Sequence, residues 1–376
     1  MNEPSPAIYV HVPFCQTICG YCDFYSVRLD AGAVDPLVEA LLTELERAVA
    51  GRSWHARSIF VGGGTPTTLP AAALRRLLAR LRELAARDAE FTVEANPATV
   101  SAEIAETLVS CGVNRVSLGA QSFDTGELRV LDRIHRPEQV AETVSILRAA
   151  GIANLNLDLI FAIPGQSLRS WQTNLDAALA LRPDHLSCYG LTYERGTPLF
   201  ERLEAGEVVR ADVELEAAMY ECTIESLESA GLAQYEISNF ARPGFECRHN
   251  LVYWSNEPYL GIGPSASGYL DGERYKNIPD AAEYARAVSA CRRPTVHAER
   301  LPIAEQARET AMLALRLNAG LSRERFRVRY GADPLAHFSE AVRRHEALGF
   351  VEVTQSAICL TPRGRLVADA VARDFL

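Results

Sequence analysis

Short apolar runs alternate with amphipathic stretches from residue 7 to about residue 190, and this alternation limits the possible folds more than any other feature. Such a pattern is typical of parallel strands covered by helices. Right-handed crossovers then place all the strand ends on one rim, where the chemistry of such barrels is located. Six units fit a partial (β/α)6 barrel, and they also fit an open doubly wound sheet. The predicted strands are Ile8–Val12, Ser58–Val61, Phe91–Glu94, Arg115–Leu118, Leu155–Ile160 and His185–Tyr189, and the predicted helices are Pro36–Ala50, Ala71–Ala86, Ala102–Cys111, Pro137–Ala150 and Leu168–Leu181.

Three cysteines follow the first predicted strand. Cys15, Cys19 and Cys22 form a CxxxCxxC pattern, and soft thiolate ligands select iron–sulfur clusters or zinc over magnesium and calcium. A 4Fe–4S cluster held by three cysteines leaves one iron open to an exchangeable ligand. A structural zinc site needs a fourth ligand, for which His11 is a candidate. Zinc motifs usually come as two separated pairs, so this single group of three favours the cluster.

Polar residues and glycines follow several of the other strands. The GGGTPT segment at residues 62–67 follows the second strand, and its glycines allow backbone groups to approach a ligand closely. Later strands are followed by two carboxylates, an amide and a guanidinium, which together suit a ligand with ribose hydroxyls, an ammonium and a carboxylate. Each of these groups alone could equally satisfy a turn or an ion pair. The four residues are Glu94, Gln121, Arg133 and Asp158.

These motifs resemble those of a known superfamily. CxxxCxxC, with Tyr9, His11, Pro13 and Phe14 around it, is similar to the cluster motif of radical S-adenosylmethionine (SAM) proteins. Within them it resembles the branch of the oxygen-independent coproporphyrinogen III oxidases and the heme chaperones of the HemW family. The resemblance implies a partial barrel of the radical SAM type, a 4Fe–4S cluster on the three cysteines, and SAM bound at the open iron. It places SAM contacts at Tyr9, Tyr21, Gly63, Gly64, Thr65, Glu94, Gln121, Arg133, Asp158 and Gly190.

A second motif lies in the less regular stretch after residue 190. Residues 249–254 read HNLVYW and resemble the HNxxYW motif associated with heme binding in the chaperones. An imidazole can bind iron, and aromatic rings can lie on a porphyrin face. The resemblance therefore implies heme contacts at His249, Tyr253 and Trp254, with the Cys247 thiolate as an alternative. The same residues could instead anchor a loop through a hydrogen-bonded histidine and packed aromatic rings.

Two functions fit this branch of the superfamily. One is an enzyme that cleaves SAM and oxidises a porphyrinogen side chain, and the other is a chaperone that passes heme to acceptor proteins, such as respiratory enzymes at the membrane. The enzymes have a further cysteine two residues after the third one, where this chain has Phe24, and a longer arm before the residue matching Tyr9. Both differences favour the heme chaperone over the coproporphyrinogen III dehydrogenase.

Charge and composition bear on partners and compartment. The net charge of −10 opposes binding to nucleic acid or anionic lipid. No apolar run approaches the length of a membrane-spanning helix, and MNEPSPA lacks the features of a signal peptide, so we expect a cytoplasmic protein. The scattered cysteines are expected to be small buried hydrophobic residues. They are Cys111, Cys188, Cys222, Cys291 and Cys359.

Three parts are predicted along the chain: a barrel core at 1–240, an HNxxYW-containing connecting segment at 241–300, and a mostly helical, winged-helix-like domain at 301–376.

Four arginines at 323, 325, 327 and 329 are interpreted as a solvated face or partner surface, since an acidic chain is a poor DNA binder. The further predicted elements are a helix at Val213–Ala230, a strand and turn at Gln234–Phe240, a turn at Gly261–Ala266 that closes over the barrel mouth, helices at Ala304–Leu317, Ser322–Tyr330 and Leu335–Leu348, strands at Phe350–Val353 and Ala357–Leu360, and a last helix from Pro362.

We expect the chain, reconstituted without oxygen, to contain iron and acid-labile sulfide and to be brown, because its three clustered thiols suit an iron–sulfur cluster. Cys19→Ala should lose most of this iron, and Cys359→Ala, outside the motif, should keep it. Iron and sulfide analysis measures both. A chain that takes up zinc but neither iron nor sulfide would contradict the cluster prediction.

Overall fold

The computed structural model describes residues 6–376; Met1–Ser5, which begin the MNEPSPA segment, lie outside the described residues. The strands are β1 (Ala7–Val12), β2 (Phe14–Cys15), β3 (Val27–Arg28), β4 (Ala56–Gly63), β5 (Ala85–Ala95), β6 (Arg115–Gln121), β7 (Asn154–Phe161), β8 (His185–Gly190), β9 (Ala233–Glu236), β10 (Asn239–Ala241), β11 (Tyr259–Ile262), β12 (Ser267–Leu270), β13 (Glu273–Asn277), β14 (Thr295–Glu299), β15 (Leu321–Ser322), β16 (Val351–Val353) and β17 (Ala357–Leu360). The helices are α1 (Ala31–Val49), α2 (Ala71–Leu84), α3 (Ala102–Ser110), α4 (Thr125–Val130), α5 (Pro137–Ala150), α6 (Leu168–Ala180), α7 (Pro198–Glu204), α8 (Val213–Ser229), α9 (Arg248–Trp254), α10 (Ala281–Ser289), α11 (Ile303–Ala314), α12 (Arg323–Tyr330), α13 (Pro334–His337), α14 (Ser339–Ala347), α15 (Pro362–Arg365) and α16 (Ala368–Arg373).

A single large sheet forms the centre of the fold. Its strand order is β14-β13-β12-β11-β1-β4-β5-β6-β7-β8-β10-β9, and the strands from β11 to β8 are parallel to one another. The sheet has two open edges, so it is a partial barrel. The six predicted strands are all confirmed, with β5 beginning at Ala85 instead of Phe91.

The apolar residues of each strand explain why the sheet forms. In β1, Ile8, Val10 and Val12 are fully buried in the main core, whereas Tyr9 and His11 point to the other face because successive side chains alternate. Helix α1 begins at Ala31, before the predicted start at Pro36, because the Asp30 side chain accepts a hydrogen bond from the Gly32 amide. The other predicted barrel helices are confirmed within one or two residues at each end.

Residues 259–299 extend the sheet instead of only connecting two domains. Strand β11 pairs in parallel with β1, and β12, β13 and β14 follow in antiparallel order. The prediction of a turn at Gly261–Ala266 is therefore wrong for its first part, since Leu260 and Ile262 are buried in β11. The chain turns only after Ile262.

The C-terminal residues form a second, smaller core. Its buried side chains come from α11, α12, α14 and α16 and from the small sheet β15-β17-β16. The predicted hairpin at 350–360 is confirmed, and the helices around it give the expected winged-helix-like arrangement. The helix predicted at Leu335–Leu348 is divided at Phe338, where the backbone departs from helical geometry. The centre of the Phe338 ring lies 5.2 Å from the centre of the Phe375 ring.

Three of the four arginines of α12, namely Arg325, Arg327 and Arg329, are exposed, as a solvated face requires, and some of them also bind residues of the chain itself. Arg323 and Arg327 both pair with Asp333, and these contacts hold the pKa of its carboxyl well below the usual value. Arg329 donates to the Asn256 carbonyl at 2.8 Å and to the Tyr269 hydroxyl at 3.2 Å, which attaches the C-terminal unit to the barrel.

The scattered cysteines follow the prediction only in part. Cys111, Cys188 and Cys359 are buried, Cys222 is half-buried, and Cys291 is exposed just after the end of α10. The Cys291 sulfur accepts a hydrogen bond from Arg47. Among residues 6–376, no helix combines the length and apolar character required to cross a bilayer.

Candidate functional site

The carboxyl ends of strands β1 and β4 to β8 surround a cavity of about 480 Å³, which we call the rim cavity. Its volume lies within the range of ordinary ligand pockets. All three cysteines of the motif line it, together with most of the predicted SAM contacts. The lining residues among those predicted are Cys15, Cys19, Cys22, Tyr21, Gly63, Gly64, Thr65, Glu94, Gln121, Arg133, Asp158 and Gly190.

Backbone hydrogen bonds hold the cysteine loop against the GGGT turn. The Gly64 amide donates to the Val12 carbonyl at 2.9 Å, and the Thr65 amide donates to the Phe14 carbonyl at 2.7 Å. The loop then returns along β3, where the Leu29 amide donates to the Cys15 carbonyl at 2.9 Å. The thiols are therefore placed by main-chain contacts at both ends of the loop.

Two glycines of this turn are required by geometry. Gly63 has a φ of +100°, and a Cβ at that position would lie 2.4 Å from the His11 ring. A Cβ at Gly64 would lie 2.6 Å from the backbone carbon of Pro13. Both distances are too short for a side chain, so only glycine permits this close approach.

The three thiols lie in a partly buried, polar environment. The Cys15 sulfur is 3.6 Å from the Thr65 hydroxyl, and the Cys19 sulfur accepts a hydrogen bond from Arg133 at 3.5 Å. Burial raises the pKa of the Cys22 thiol to about 11. Among residues 6–376, no group of three or more histidine, cysteine, aspartate or glutamate side chains is already arranged around one metal position. All three thiols line the rim cavity.

His11 is poorly placed as the fourth ligand of a zinc site. Its Nε2 contacts the Tyr25 carbonyl at 2.9 Å, and its Nδ1 contacts the Tyr9 hydroxyl at 3.0 Å. Burial lowers the pKa of His11, which favours the neutral ring that these two contacts require. Because both nitrogens have partners, the arrangement favours the cluster over a Cys3His zinc site.

Two carboxylates from neighbouring strands are buried in the wall of the rim cavity. Glu94 accepts a hydrogen bond from the Gly63 amide at 2.9 Å, and Asp158 accepts from Asn156 at 2.7 Å and from Ser117 at 3.1 Å. Burial, with the charge of Asp158 adding to it, raises the pKa of Glu94 to about 7. Burial also raises the pKa of Asp158. These acceptors suit hydroxyl or ammonium groups of a ligand.

Arg133 brings a buried positive charge to the lining of the rim cavity. Its guanidinium donates to the Gly119 carbonyl and to Cys19, while its buried Nε has no partner among the described residues. Gln121 has a left-handed φ of +65° at an irregularity between β6 and β7. Strained backbone and an unsatisfied buried donor are common where a ligand completes a site. The residues of the rim cavity therefore fit a cluster with a polar, carboxylate-bearing ligand.

The remaining predicted SAM contacts occupy different places. Tyr21 lines the rim cavity and packs against Leu131 and Ile160. Gly190 lines the rim cavity at the end of β8, where a Cβ would lie 3.1 Å from a Glu216 side-chain oxygen, a contact that a small shift of that carboxylate would relieve. Tyr9 lines a different cavity, of about 490 Å³, which we call the side cavity.

The HNxxYW motif forms the short helix α9 next to β4 and β5. Glu90 of β5 accepts hydrogen bonds from the backbone amides of Arg248 and His249, at 2.9 and 3.0 Å, which fixes the start of the helix. His249 is fully buried; its Nδ1 contacts the Ser58 hydroxyl at 3.0 Å and its Nε2 contacts the Tyr253 hydroxyl at 2.9 Å. Burial lowers the pKa of His249 to about 3. These contacts agree with the alternative in which a hydrogen-bonded His249 anchors this segment.

The other predicted heme residues point in different directions. Tyr253 lines the side cavity, and Trp254 packs beneath the guanidinium of Arg316, which lies 5.0 Å from its ring centre. Cys247 is buried, and burial raises the pKa of its thiol to about 12, which disfavours the thiolate. Of the four residues, Tyr253 lines the side cavity, and none lines the rim cavity.

Comparisons with known proteins agree with this geometry. The radical SAM superfamily matches residues 9–178, and the HemN C-terminal domain matches residues 301–367. The heme chaperone HemW of Bacillus subtilis is 36% identical over 372 residues, covering 98% of each chain. HemW of Mycobacterium tuberculosis is 38% identical over 379 residues, covering 98% of this chain and 94% of the relative. The chain belongs to the HemW family.

The fold of this HemW family member is also found in a solved structure. Coproporphyrinogen III oxidase (HemN) from Escherichia coli, described as a radical SAM enzyme, superimposes with a TM-score of 0.85, covering 99% of this chain and 91% of that one. At 24% sequence identity, this likeness shows the fold alone. The predicted radical SAM fold class is thus confirmed.

Sequence reasoning missed the polar residues that support the site in this HemW family member. Asn156 is almost fully buried two residues before Asp158, on the same face of β7, and holds its carboxylate. Ser117 on β6 contacts both of these side chains. The sequence does contain a feature that points to them, because polar residues occupy every second position at the start of the otherwise apolar strand β7.

In the absence of cofactors, Glu94→Gln should raise the free energy of unfolding at pH 8 by about 1–3 kcal/mol. A carboxyl whose pKa rises from 4.5 to about 7 on folding binds its proton more tightly in the folded state, so its cost to stability grows between these two pH values and has reached its full size at pH 8. The gain should therefore shrink at pH 5. Denaturant unfolding at both pH values measures it.

The same substitution should weaken SAM binding, because an amide replaces a carboxylate in the rim cavity. Glu106→Gln, an exposed change of the same charge on α3, serves as the control. A loss of stability in Glu94→Gln at pH 8 would contradict this interpretation of the site.

Proposed function

We propose that this chain is a heme chaperone, which binds heme and a SAM-associated 4Fe–4S cluster and passes the heme to acceptor proteins. The observation that carries the proposal is the match to proteins named heme chaperone HemW, at 36% identity over 98% of both chains in one case. The geometry of the two cavities is compatible with it. The rim cavity holds the three thiols beside buried charged groups, and the side cavity is lined mainly by aromatic and charged side chains.

Cys15, Cys19 and Cys22 would hold the cluster, and the rim cavity would hold SAM. When bound, a cluster of this type supplies an electron carrier and an open iron site. The chain itself contributes positioning: Gly63 and Gly64 permit close approach, and Thr65 lies beside the first thiol. Around the ligand, carboxylate, amide and guanidinium groups would meet its hydroxyl, ammonium and carboxylate groups; they are Glu94, Gln121, Arg133 and Asp158, with Tyr21 and Gly190 on the same wall.

For heme we propose contacts at His249, Tyr253 and Trp254. In the structure the Tyr253 hydroxyl lies between the His249 Nε2 and the side cavity, because Tyr253 both lines the cavity and bonds to that nitrogen. An iron ligand role for His249 therefore requires this hydrogen bond to break. Tyr9 contributes a second ring to the same cavity.

The alternative, an oxygen-independent coproporphyrinogen III dehydrogenase, is not favoured. Phe24 stands where the enzymes have a further cysteine, and its side chain is 73% exposed on the walls of both cavities. The similarity to the solved oxidase shows a shared fold and does not show a shared activity.

The acceptors that we propose are heme proteins of the respiratory chain at the membrane. The transfer would begin in the cytoplasm, where a reducing environment keeps cluster-binding thiols free. All nine cysteines of the chain are unpaired in the structure, as such a compartment requires.

We expect the reconstituted protein to bind heme stoichiometrically and not to oxidise coproporphyrinogen III. Heme titration and porphyrinogen turnover, with SAM and a reductant, should be measured on one preparation. Turnover of coproporphyrinogen III would contradict the chaperone function, and so would a failure to take up heme.

His249→Ala should weaken heme uptake and leave the cluster content unchanged, because His249 lies on α9 and the thiols lie on the rim. His55→Ala, an exposed histidine outside both cavities, is the matched control. Heme titration, iron analysis and circular dichroism on each variant separate binding from folding. An unchanged heme titration for a folded His249→Ala protein would remove the motif from the heme site.

A further inference from the structure

The side cavity contains the single lysine of the chain. Of the 38 basic residues, 37 are arginines, and Lys276 is the exception. Arginine supplies positive charge everywhere else, so a general need for charge does not explain this residue. Lysine differs from arginine in its compact ammonium with three freely rotating donors.

Lys276 reaches the side cavity because of the register of β13. Successive side chains of a strand point to opposite faces, so Arg274 and Lys276 share one face and Tyr275 occupies the other. Arg274 and Lys276 both line the cavity of about 490 Å³. Tyr275 instead bonds the backbone of Gly261 at 3.0 Å.

Most of the charges around Lys276 are already paired with other residues. Arg274 is bound to Glu309 and to Asn256, and Glu257 is bound to Arg57. Within residues 6–376, Lys276 itself has no hydrogen bond and no carboxylate within 4.0 Å, including that of Asp23, the remaining acidic residue of the cavity wall. The cavity wall thus presents one exposed ammonium that forms no ion pair with the described residues and is free to pair with a ligand.

The rest of the wall is largely aromatic. Tyrosine and phenylalanine rings line the cavity around Lys276, and the hydroxyls of three of the tyrosines are already hydrogen bonded, to His11, to the Ala281 amide and to His249. Their rings therefore offer apolar surface more than free polar groups. A flat, conjugated ligand that carries a carboxylate matches this combination. The rings belong to Tyr9, Phe24, Tyr25, Tyr253 and Tyr259.

We infer that the side cavity is the heme site and that Lys276 pairs with a propionate of the bound porphyrin. This inference rests on the proposed function and adds to it a place and an anchoring residue. Asp23 and Phe24 line both cavities, so heme in the side cavity lies next to the SAM site across one shared wall.

The test compares heme with heme dimethyl ester, in which both propionates are blocked, on reconstituted full-length protein. Lys276→Met should bind heme about tenfold more weakly than the unchanged chain, because a charge-assisted contact is lost. The ester lacks that contact, so both proteins should bind it equally. Lys276→Arg should retain most of the preference for heme over its ester, and SAM binding should not change in either variant.

Arg343→Met, which removes an exposed charge from α14 in the C-terminal unit, is the control and should bind heme normally. Equal heme affinity in Lys276→Met and the unchanged chain would overturn the inference and leave the proposed function intact. Equal losses for heme and ester would overturn it as well, since they would indicate a structural effect. If the unchanged chain binds no heme, both the inference and the proposed function fail.

Discussion

Two backbone hydrogen bonds, from Gly64 to Val12 and from Thr65 to Phe14, determine where everything else at the rim can lie. They join the start of the cysteine loop to the turn after the neighbouring strand, so the thiols and the GGGT turn form one wall of a single cavity. The contact is possible only because glycine has no side chain, since a Cβ at Gly64 would meet the backbone of Pro13 at 2.6 Å. The motif letters that look like two separate signals in the sequence are therefore one structural unit.

The rim also contains charges that the fold alone does not need. Glu94 and Asp158 are carboxylates whose pKa values are raised by burial, and Arg133 has a buried Nε without a partner in the described part of the chain. Such groups destabilise the folded chain, because each loses hydration that its protein contacts do not fully replace. The large apolar core formed by the sheet and its covering helices offsets this cost. Polar groups held in place before a ligand arrives are a feature of binding sites.

Local patterns were sufficient to predict the six barrel strands and the cysteines and polar strand-end residues of the rim, because strand–helix alternation fixes which strand ends meet. The other rim residues, such as Tyr21 and Gly190, followed only from the family resemblance. The strands β11 to β14 could not be predicted in this way. Each of these strands is short, and turn residues lie between them. Strand β11 pairs with β1, whose residues lie far away in the sequence. The side cavity, which Lys276 of β13 lines, therefore could not be predicted from the sequence. The spacing of His249 and Tyr253 does place them on one helix face, but the burial of His249 depends on Ser58 and Glu90 from distant strands.

A chain of hydrogen bonds connects the rim to the HNxxYW helix through the interior of the barrel. Asp158 accepts from Asn156 at 2.7 Å, Asn156 contacts His185 at 2.6 Å, His185 contacts the Tyr235 hydroxyl at 2.9 Å, and that hydroxyl accepts from the Cys247 amide at 3.3 Å. Burial keeps His185 neutral by lowering its pKa, so each link has one donor and one acceptor. Buried networks of this kind are rigid only when every member is satisfied. The Asp158 carboxylate of the rim cavity and the start of the motif helix are thus joined by one buried hydrogen-bond network.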